Sequence, residues 1–156
     1  MTDVSESADP ALDEVALDDM VCFNLHAAFR AVTAAYRPLL EPLGVSYPQY
    51  LVLALLWTHG DLSVGALVTH LQSDYGTVTP LVKRMEKQGL VTRARNPRDE
   101  RSVTVALTPH GDALRAHAPG IYRSITETFG FTPDRAEAAL GVLRSIASHA
   151  RAEESD

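Results

Sequence analysis

The most informative part of this chain is residues 63–108, SVGALVTHLQSDYGTVTPLVKRMEKQGLVTRARNPRDERSVTVALT. Five patterns follow one another in it: an apolar helix pattern at 63–71, a polar turn at 72–77, a second helix pattern at 78–88, and period-two alternation at 90–95 and 102–107. Gly89 ends the second helix pattern, and a charged segment at 96–101 separates the two alternating runs. Two short helices joined by a tight turn and followed by a charged-tipped hairpin are typical of a winged helix-turn-helix. In that motif the second helix enters a groove of DNA.

Basic residues are concentrated in the second helix and the hairpin, although the chain as a whole is acidic. The sequence has 20 Asp and Glu against 14 Lys and Arg, which gives a net charge of -6. Residues 83–101 contain seven of those cations and three acids, so this segment carries +4 while the rest of the chain carries -10. A DNA phosphate responds to charges within a Debye length, about 8 Å at physiological salt. The local patch therefore favours DNA binding despite the acidic total.

The second helix pattern has an inward face and an outward face. Apolar residues recur at helical spacing on the inward face: Val78, Leu81, Val82 and Met85. The candidate DNA contacts lie on the outward face and in the hairpin: Thr77, Thr79, Lys83, Arg84, Lys87, Arg98, Asp99 and Arg101. We expect Thr77, Thr79, Lys83 and Arg84 to line the major groove. Arg101 at the wing tip is expected to enter the flanking minor groove, with Asp99 orienting it.

Pro80 makes the first residue of this second helix uncertain between two alternatives, because proline in a helix interior destabilises the helix by about 3 kcal/mol. If Thr77 is the N-cap, Pro80 lies in the first turn, where backbone N–H groups have no intrahelical partner. If the helix begins at Asp74 or Tyr75, Pro80 lies deeper and a local distortion is expected.

Apolar residues also recur at helical spacing on both sides of this motif. One set predicts a long helix from about residue 17, which Pro38 kinks or restarts: Leu17, Val21, Leu25, Phe29, Val32 and Tyr36. The other set predicts a last helix after Thr132 and Pro133: Ala136, Ala139, Leu140, Leu143, Ile146 and Ala147. Neither stripe has an obvious partner inside the DNA-binding motif. The stripes therefore predict a homodimer, and packing of the two helices on each other within one chain is the alternative.

Proline and glycine residues indicate where the remaining helices begin and end. Pro42 and Gly44 end the first helix, and Pro48 lies in the first turn of an almost wholly apolar helix at about 49–59, which must be buried on most sides. Thr108 and Pro109 begin a helix after the hairpin. Its pattern is interrupted at residues 119–120, Pro-Gly.

The predicted fold class is mainly α with a small β-hairpin, a winged helix-turn-helix with N- and C-terminal dimerisation helices. The predicted organisation has four parts: a disordered acidic tail at 1–13, an N-terminal dimerisation helix at 14–46, the DNA-binding region at 47–108, and C-terminal dimerisation helices at 109–152. No apolar run approaches the roughly 20 residues of a membrane span, and residues 1–20 hold seven acids and no base, unlike a signal peptide. A single cysteine excludes an internal disulfide and fits a reducing, cytoplasmic location.

Several blocks of this sequence resemble the MarR family of dimeric bacterial regulators, and within it the subgroup that senses organic hydroperoxides. The resemblance covers roughly residues 17–118. In the DNA-binding region it is carried by GTVTPLVKRMEKQGLV at 76–91 and DERS at 99–102. In the N-terminal half it is carried by CF at 22–23, YRPLL at 36–40 and YPQYL at 47–51, and this last block is far more specific than a generic helix-turn-helix.

The resemblance implies a repressor that releases its operator DNA when Cys22 is oxidised by an organic hydroperoxide. It also implies that Tyr36 and Tyr47 of the partner subunit donate hydrogen bonds to the cysteine. The physical reason is that the thiolate is the nucleophile, whereas a thiol with an ordinary pKa near 8.5 is mostly protonated at neutral pH. Phenol donors and a helix N-terminus both favour the charged form.

Two features depart from that subgroup. The subgroup often has another tyrosine one helical turn after the cysteine, and His26 occupies that position here. A neutral imidazole can donate to the thiolate, and a charged one favours it further. Some relatives resolve the oxidised cysteine with a second, C-terminal cysteine, which this sequence lacks. Oxidised Cys22 is therefore expected to react with a low-molecular-weight thiol or to over-oxidise.

Two other functions compete with the peroxide sensor. The first is a MarR-type regulator that binds a small aromatic acid between its dimer helices and DNA-binding region, with Cys22 an inert small hydrophobe. The second is a thiol peroxidase, although the DNA-binding motif and the missing resolving cysteine argue against an enzyme. The six histidines show no metal-ligand spacing, so neither a structural metal nor a cofactor is predicted.

Overall fold

The structure is a computed structural model that describes residues 16–153, so the tail predicted at 1–13 lies outside the described residues. Within that range the chain forms seven α-helices: α1 Val21–Leu40, α2 Tyr47–His59, α3 Val64–Leu71, α4 Tyr75–Lys87, α5 Pro109–Ala113, α6 Ala118–Phe129 and α7 Pro133–Glu153. Three strands lie between α2 and α5: β1 Leu62–Ser63, β2 Val91–Asn96 and β3 Asp99–Leu107. Single turns of 3-10 helix occupy Leu17–Asp19, Glu41–Leu43 and Leu114–His117. The predicted fold class, mainly helical with a small β element, is confirmed.

The three strands form an antiparallel sheet in the order β1-β3-β2. The predicted hairpin is its larger part, with Val91 opposite Leu107 and Arg95 opposite Val103. Its strands are longer than predicted, because β3 begins at Asp99 and the connection is only residues 97–98. The short strand β1, which pairs with β3 beside Val105, was not predicted. We call β2, β3 and their connection the wing.

Helix α2 forms the centre of the core, as its apolar sequence predicted. Val52, Leu53 and Leu56 are at most 2% exposed. Trp57 donates its indole N–H to the carbonyl oxygen of Gly111 at 3.1 Å, and the Arg115 guanidinium donates to the Trp57 carbonyl at 2.7 Å. These two hydrogen bonds fix the C-terminal half of α2 to the segment that follows the wing.

Gly111 allows a close approach between α5 and the base of the wing. A Cβ at this position would collide with the Leu90 carbonyl oxygen. That oxygen is held in place, because the backbone N–H of Thr108 donates to it at 3.1 Å. We expect Gly111→Ala to lower the free energy of unfolding by about 3 kcal/mol, measured by urea denaturation at a fixed protein concentration.

Gly120 provides the matched control for that substitution. It also lies in a helix, but an added Cβ would meet no atom within 4 Å. Gly120→Ala should therefore change the free energy of unfolding by no more than about 1 kcal/mol. Equal stability of the two variants would show that the α5–wing contact adjusts without cost.

The N-terminal helix differs from its prediction at both ends. The pattern from residue 17 is split, because Met20 is extended between the 3-10 turn and α1. The Asn24 side chain stabilises this break by donating to the carbonyl oxygens of Asp18 at 2.7 Å and Met20 at 2.9 Å. At the other end α1 does not restart at Pro38 but continues to Leu40, and the predicted termination by Pro42 and Gly44 is confirmed.

The C-terminal helices begin largely as predicted. The Thr108 hydroxyl caps α5 by accepting the Gly111 N–H at 3.0 Å. The interruption lies at the 3-10 turn Leu114–His117 rather than at residues 119–120, which are in the first turn of α6. Helix α7 has no buried residue among those whose side chains are described.

Within residues 16–153 no single helix is long and apolar enough to cross a membrane. One pair of helical segments, Val21–Leu43 and Tyr47–His59, is bent by 73° and meets the criteria of length and composition for a broken membrane span, and those criteria alone.

Candidate DNA-binding and thiol sites

Helix α4 occupies the position of the DNA-reading helix and begins at Tyr75. Asp74 is its N-cap, because one carboxylate oxygen accepts the Thr77 N–H at 2.8 Å and the other accepts the Thr77 hydroxyl at 3.1 Å. The turn predicted at 72–77 is therefore too long, and Thr77 is not the N-cap. Pro80 lies deeper in the helix, which is the second alternative, yet the helix is continuous through it. The Asp74 carboxylate stabilises a helical start that the Tyr-Gly-Thr sequence did not indicate.

The two faces of α4 agree with the prediction. The apolar residues of the inward face are all buried: Val78, Leu81, Val82 and Met85. On the outward face Thr77, Lys83, Arg84 and Lys87 are exposed, and Thr79 is half-buried. Arg84 and Lys87 lie near the C-terminus of α4, where cations also interact favourably with the helix dipole. The exposed face is therefore polar and basic, as a surface facing phosphate requires.

A surface cavity of about 420 Å³ separates the start of α4 from the wing. Thr79, Asp99 and Arg101 all line it, so the structure brings these three predicted residues together. Asp99 accepts the backbone N–H of Arg101 at 3.1 Å, which fixes the wing backbone rather than the guanidinium. Arg98 lies in the connection itself, where its backbone N–H donates to the Asn96 side chain at 2.9 Å. The tip of the wing is therefore Arg98, with Arg101 on β3 facing the cavity.

Three further residues lie between α4 and the wing and were not among the predicted DNA contacts. Tyr75 is 61% exposed at the start of α4, and it lines the same cavity as Thr79 and Arg101. Arg93 and Arg95 on β2 line a second groove together with Lys83. The capping preference of Asp74 would have indicated the position of Tyr75. The two arginines belong to the basic segment 83–101, but period-two alternation alone did not indicate which side of β2 faces the groove beside α4.

An ion pair joins α4 to the wing. The Arg93 Nε and a carboxylate oxygen of Glu86 are 3.0 Å apart, and both side chains are partly exposed. Exposed pairs of this kind contribute about 1 kcal/mol or less to stability. The pair therefore sets the relative position of α4 and β2 more than it stabilises the fold.

Cys22 is exposed and is the second residue of α1. The break before α1 moves the cysteine from the interior of a long helix to a first turn. Backbone N–H groups in that turn have no intrahelical acceptor, and their partial positive charge favours a nearby anion. His26 is also exposed, one turn further along α1.

Tyr36 and Tyr47 form one aromatic cluster within the chain. Their ring centroids are 4.6 Å apart, and Tyr50 joins them with its ring 5.8 Å from that of Tyr36. Burial raises the pKa of all three phenols above the ordinary value of 10.0, with neighbouring phenols adding to the effect at Tyr36 and Tyr50. Like ordinary phenols, they are protonated at neutral pH, and they are able to donate hydrogen bonds. The position of Tyr50 in the cluster was not predicted.

Cys22 does not belong to the same end of α1 as this cluster. It lies 14 positions before Tyr36 on one continuous helix, a separation of about 21 Å along the helix axis. A hydrogen bond from Tyr36 to Cys22 of the same chain is therefore impossible. Any such contact requires a second copy of the chain.

Beside the tyrosine cluster lies a cavity of about 500 Å³ at the junction of α1 and α2. Arg37 and Glu41 supply charged groups to its lining, and Tyr47 supplies an aromatic ring.

Two of the histidines are neighbours in the structure although they are 11 positions apart in sequence. The rings of His59 and His70 stack with their centroids 4.8 Å apart. In the described part of the chain, no three His, Cys, Asp or Glu residues are grouped to hold a metal ion.

Known proteins match both the sequence and the fold. Residues 45–103 match the model of the MarR family. The chain is 42% identical over 134 residues to the organic hydroperoxide resistance transcriptional regulator of Bacillus subtilis (strain 168), an alignment that covers 84% of this chain and 91% of that protein.

Two solved structures are similar over most of their length. One is reduced AbfR bound to DNA, with a TM-score of 0.72, 27% identity, and coverage of 85% of this chain and 93% of that one. AbfR, from Staphylococcus epidermidis, has also been solved in an overoxidised form bound to DNA. The other is BpsR of Bordetella bronchiseptica, whose DNA binding is regulated by 6-hydroxynicotinic acid, with a TM-score of 0.76, 25% identity, and coverage of 86% and 97%.

Proposed function

This chain belongs to the MarR family of DNA-binding transcriptional regulators, and we propose that it is a repressor that senses organic hydroperoxides through Cys22. Its relatives are transcriptional regulators rather than enzymes, which removes the thiol peroxidase alternative. The observation that carries the proposal is the exposed Cys22 in the first turn of α1, combined with protonated phenols at the other end of that helix. Similarity to a hydroperoxide resistance regulator supports the same conclusion.

The proposed active form is a homodimer, because large apolar side chains on α1 and α7 are exposed to solvent in the single chain. On α1 these include Val21, 63% exposed, and Phe29, 60% exposed. On α7 they are Leu140, Val142, Leu143 and Ile146. Exposed large apolar side chains grouped on one helix favour an interface with another protein chain. A second copy that covers α1 also brings its Tyr36 and Tyr47 within reach of Cys22, which one chain alone does not allow.

The proposed chemistry is a two-electron oxidation of the cysteine. The Cys22 thiolate attacks the terminal oxygen of the hydroperoxide, the O–O bond breaks, and the alkoxide leaves and takes up a proton as the alcohol. Sulfur becomes a sulfenic acid while the peroxide is reduced by two electrons. A low-molecular-weight thiol then forms a mixed disulfide with Cys22 and releases water, because this chain has no second cysteine.

The proposed DNA complex is symmetric, with two copies of α4 addressing half-sites about 34–36 Å apart. In each copy Thr77, Thr79, Lys83 and Arg84 line the major groove, with Lys87 on the flanking backbone. The wing follows the adjacent minor groove, where Arg98 at its tip and Arg101 on β3 meet phosphates. Asp99 supports this arrangement through its bond to the Arg101 backbone.

Arg101→Ala tests the role of the wing. Loss of one phosphate contact should weaken operator binding and lower the slope of log K against log salt by about 1. Fluorescence anisotropy of a labelled operator at several salt concentrations measures both quantities. Arg123→Ala is the control, since it removes an exposed arginine from α6, away from the wing. Equal affinity and slope in the Arg101 variant and the wild type would place Arg101 outside the interface.

A second candidate function is supported by the cavity beside Tyr47. Its size is within the range of small-molecule sites, and the Arg37 guanidinium suits a carboxylate. BpsR, which shares the fold, responds to an aromatic acid. In this alternative a small aromatic acid releases DNA while Cys22 stays unreacted.

Operator release under oxidation distinguishes the two functions. An operator duplex selected from random-sequence DNA is titrated with the reduced protein, before and after addition of cumene hydroperoxide. The sensor proposal predicts loss of binding that dithiothreitol reverses, with a weaker response to an equal concentration of hydrogen peroxide. Binding that stays unchanged with cumene hydroperoxide but is lost with 6-hydroxynicotinic acid would favour the ligand-responsive regulator.

A further inference from the structure

Gln49 is unusual because it is a polar side chain inside the apolar core. It is 6% exposed and is the one polar or charged residue in the buried set of the described chain. Burying a primary amide is unfavourable unless its donors and acceptor are paired. Its hydrogen-bond partners therefore determine what this residue contributes.

The amide of Gln49 joins two elements that are distant in sequence. Its carbonyl oxygen accepts the backbone N–H of Ser46 at 3.0 Å, which forms half of a capping box at the start of α2. Its NH₂ group donates to the side-chain oxygen of Gln88 at 2.7 Å, across 39 residues of sequence. Gln88 is the C-cap of α4. One side chain thus connects the first turn of α2 to the end of the recognition helix.

The residues around each end make this connection significant. Tyr47, a proposed donor to Cys22, is the first residue of α2 and lies between Ser46 and Gln49. At the other end, the residue after Gln88 is also held, because the Thr108 hydroxyl donates to the Gly89 carbonyl. Because Tyr47 follows Ser46 in the chain, a displacement of Tyr47 also moves the backbone of the capping box, whereas the chain just after α4 is restrained by Thr108.

We propose that Gln49 is a positioning residue that couples the thiol site to the recognition helix through its hydrogen bond to Gln88; this inference rests on the proposed function. When oxidation of Cys22 displaces Tyr47 of the other subunit, the Ser46 capping box shifts and the Gln49 amide moves with it. The hydrogen bond to Gln88 carries that movement to the C-terminal end of α4. In the reduced dimer the same bond holds the two copies of α4 at the spacing that the operator requires.

The test uses the full-length dimer and compares operator affinity in the reduced state with affinity after cumene hydroperoxide. The measured quantity is the dissociation constant of the oxidised protein for the operator divided by that of the reduced protein. A substitution that only destabilised the fold would not change this ratio. Coupling between two sites typically changes affinity by about 5- to 150-fold. Gln88→Leu removes the acceptor at an exposed position and leaves the capping box intact, and we expect it to lower the ratio from the wild-type value to near 1. Gln88→Glu keeps an acceptor oxygen and should retain the wild-type ratio.

Glu86→Leu is the matched control, because it cuts the other side-chain connection of the same helix, the ion pair with Arg93 on the wing. Its ratio should equal that of the wild type even if its affinity in both states changes. Gln49→Leu together with Gln88→Leu should lower the ratio no further than Gln88→Leu alone. A wild-type ratio in the Gln88→Leu protein would overturn the inference while leaving the sensor proposal intact. A wild-type protein that keeps its operator after oxidation would overturn both.

Discussion

The Cys22→Ser protein is expected to bind its operator as tightly as the wild type and to stay bound after an organic hydroperoxide is added. Serine keeps the size of the side chain at an exposed position, so the fold and the basic face of α4 are unaffected. Its hydroxyl is not a nucleophile toward peroxides at neutral pH, so no sulfenic acid forms. The wild-type protein should lose affinity by about 5- to 150-fold under the same treatment. Anisotropy of a labelled operator with and without cumene hydroperoxide measures the difference.

Met20→Leu is the control for this experiment. Met20 is 42% exposed and lies two residues before Cys22, so it is the methionine best placed to be oxidised in its stead. The Met20→Leu protein should release DNA as the wild type does. If the Cys22→Ser protein still dissociates on oxidation and the Met20→Leu protein does not, methionine is the sensor and the assignment of Cys22 is wrong.

Tyr36→Phe and Tyr47→Phe are each expected to slow the reaction of Cys22 with iodoacetamide and to slow induction by hydroperoxide. Phenols are protonated at neutral pH, and burial raises the pKa of both above the ordinary value of 10.0, so each can donate a hydrogen bond. A hydrogen bond to a charged group contributes about 1.5–3 kcal/mol, and about 1.4 kcal/mol corresponds to a factor of ten. Loss of either donor to the thiolate should therefore slow alkylation at pH 7 by about tenfold or more. The rate of iodoacetamide alkylation measures this change, while the operator affinity of the reduced protein should stay near that of the wild type.

Tyr50→Phe separates the proposed role from general packing. Tyr50 belongs to the same aromatic cluster and loses the same hydroxyl, but it has no proposed contact with Cys22. Its variant should alkylate and respond as the wild type does. Identical behaviour of all three variants would mean that the cluster only packs the junction of α1 and α2.

Local patterns in the sequence predicted the helices well where burial follows a simple period. The inward face of α4 and the burial of α2 follow from helical spacing alone, since an apolar stripe must be removed from water. The starts of α5 and α7 follow from a threonine cap before a proline, an interaction within four residues. Candidate site residues could be proposed from the sequence because the basic segment 83–101 and the blocks that resemble the MarR family are each contiguous in sequence.

Interactions between distant residues were not predictable in this way. Strand β1 is two residues long and exists because Leu62 and Ser63 pair with β3, about 40 positions later. The hydrogen bond from Gln49 to Gln88 likewise joins segments that are adjacent only after folding. The early start of α4 at Tyr75 depended on one carboxylate, that of Asp74, outweighing a turn-forming sequence. The proposed contact between Cys22 and the tyrosines depends on a second copy of the chain, so no pattern within one chain describes its geometry.

The central claim is that oxidation of Cys22 and release of DNA are one event. The most direct measurement titrates the reduced, operator-bound protein with cumene hydroperoxide in the presence of a small thiol. Each sample is divided, so that intact mass gives the fraction of Cys22 converted to the mixed disulfide and anisotropy gives the fraction of operator released. If Cys22 is the sensor, the two fractions rise together and dithiothreitol reverses both. Operator released while Cys22 remains a free thiol, or Cys22 fully converted while the operator stays bound, would contradict it.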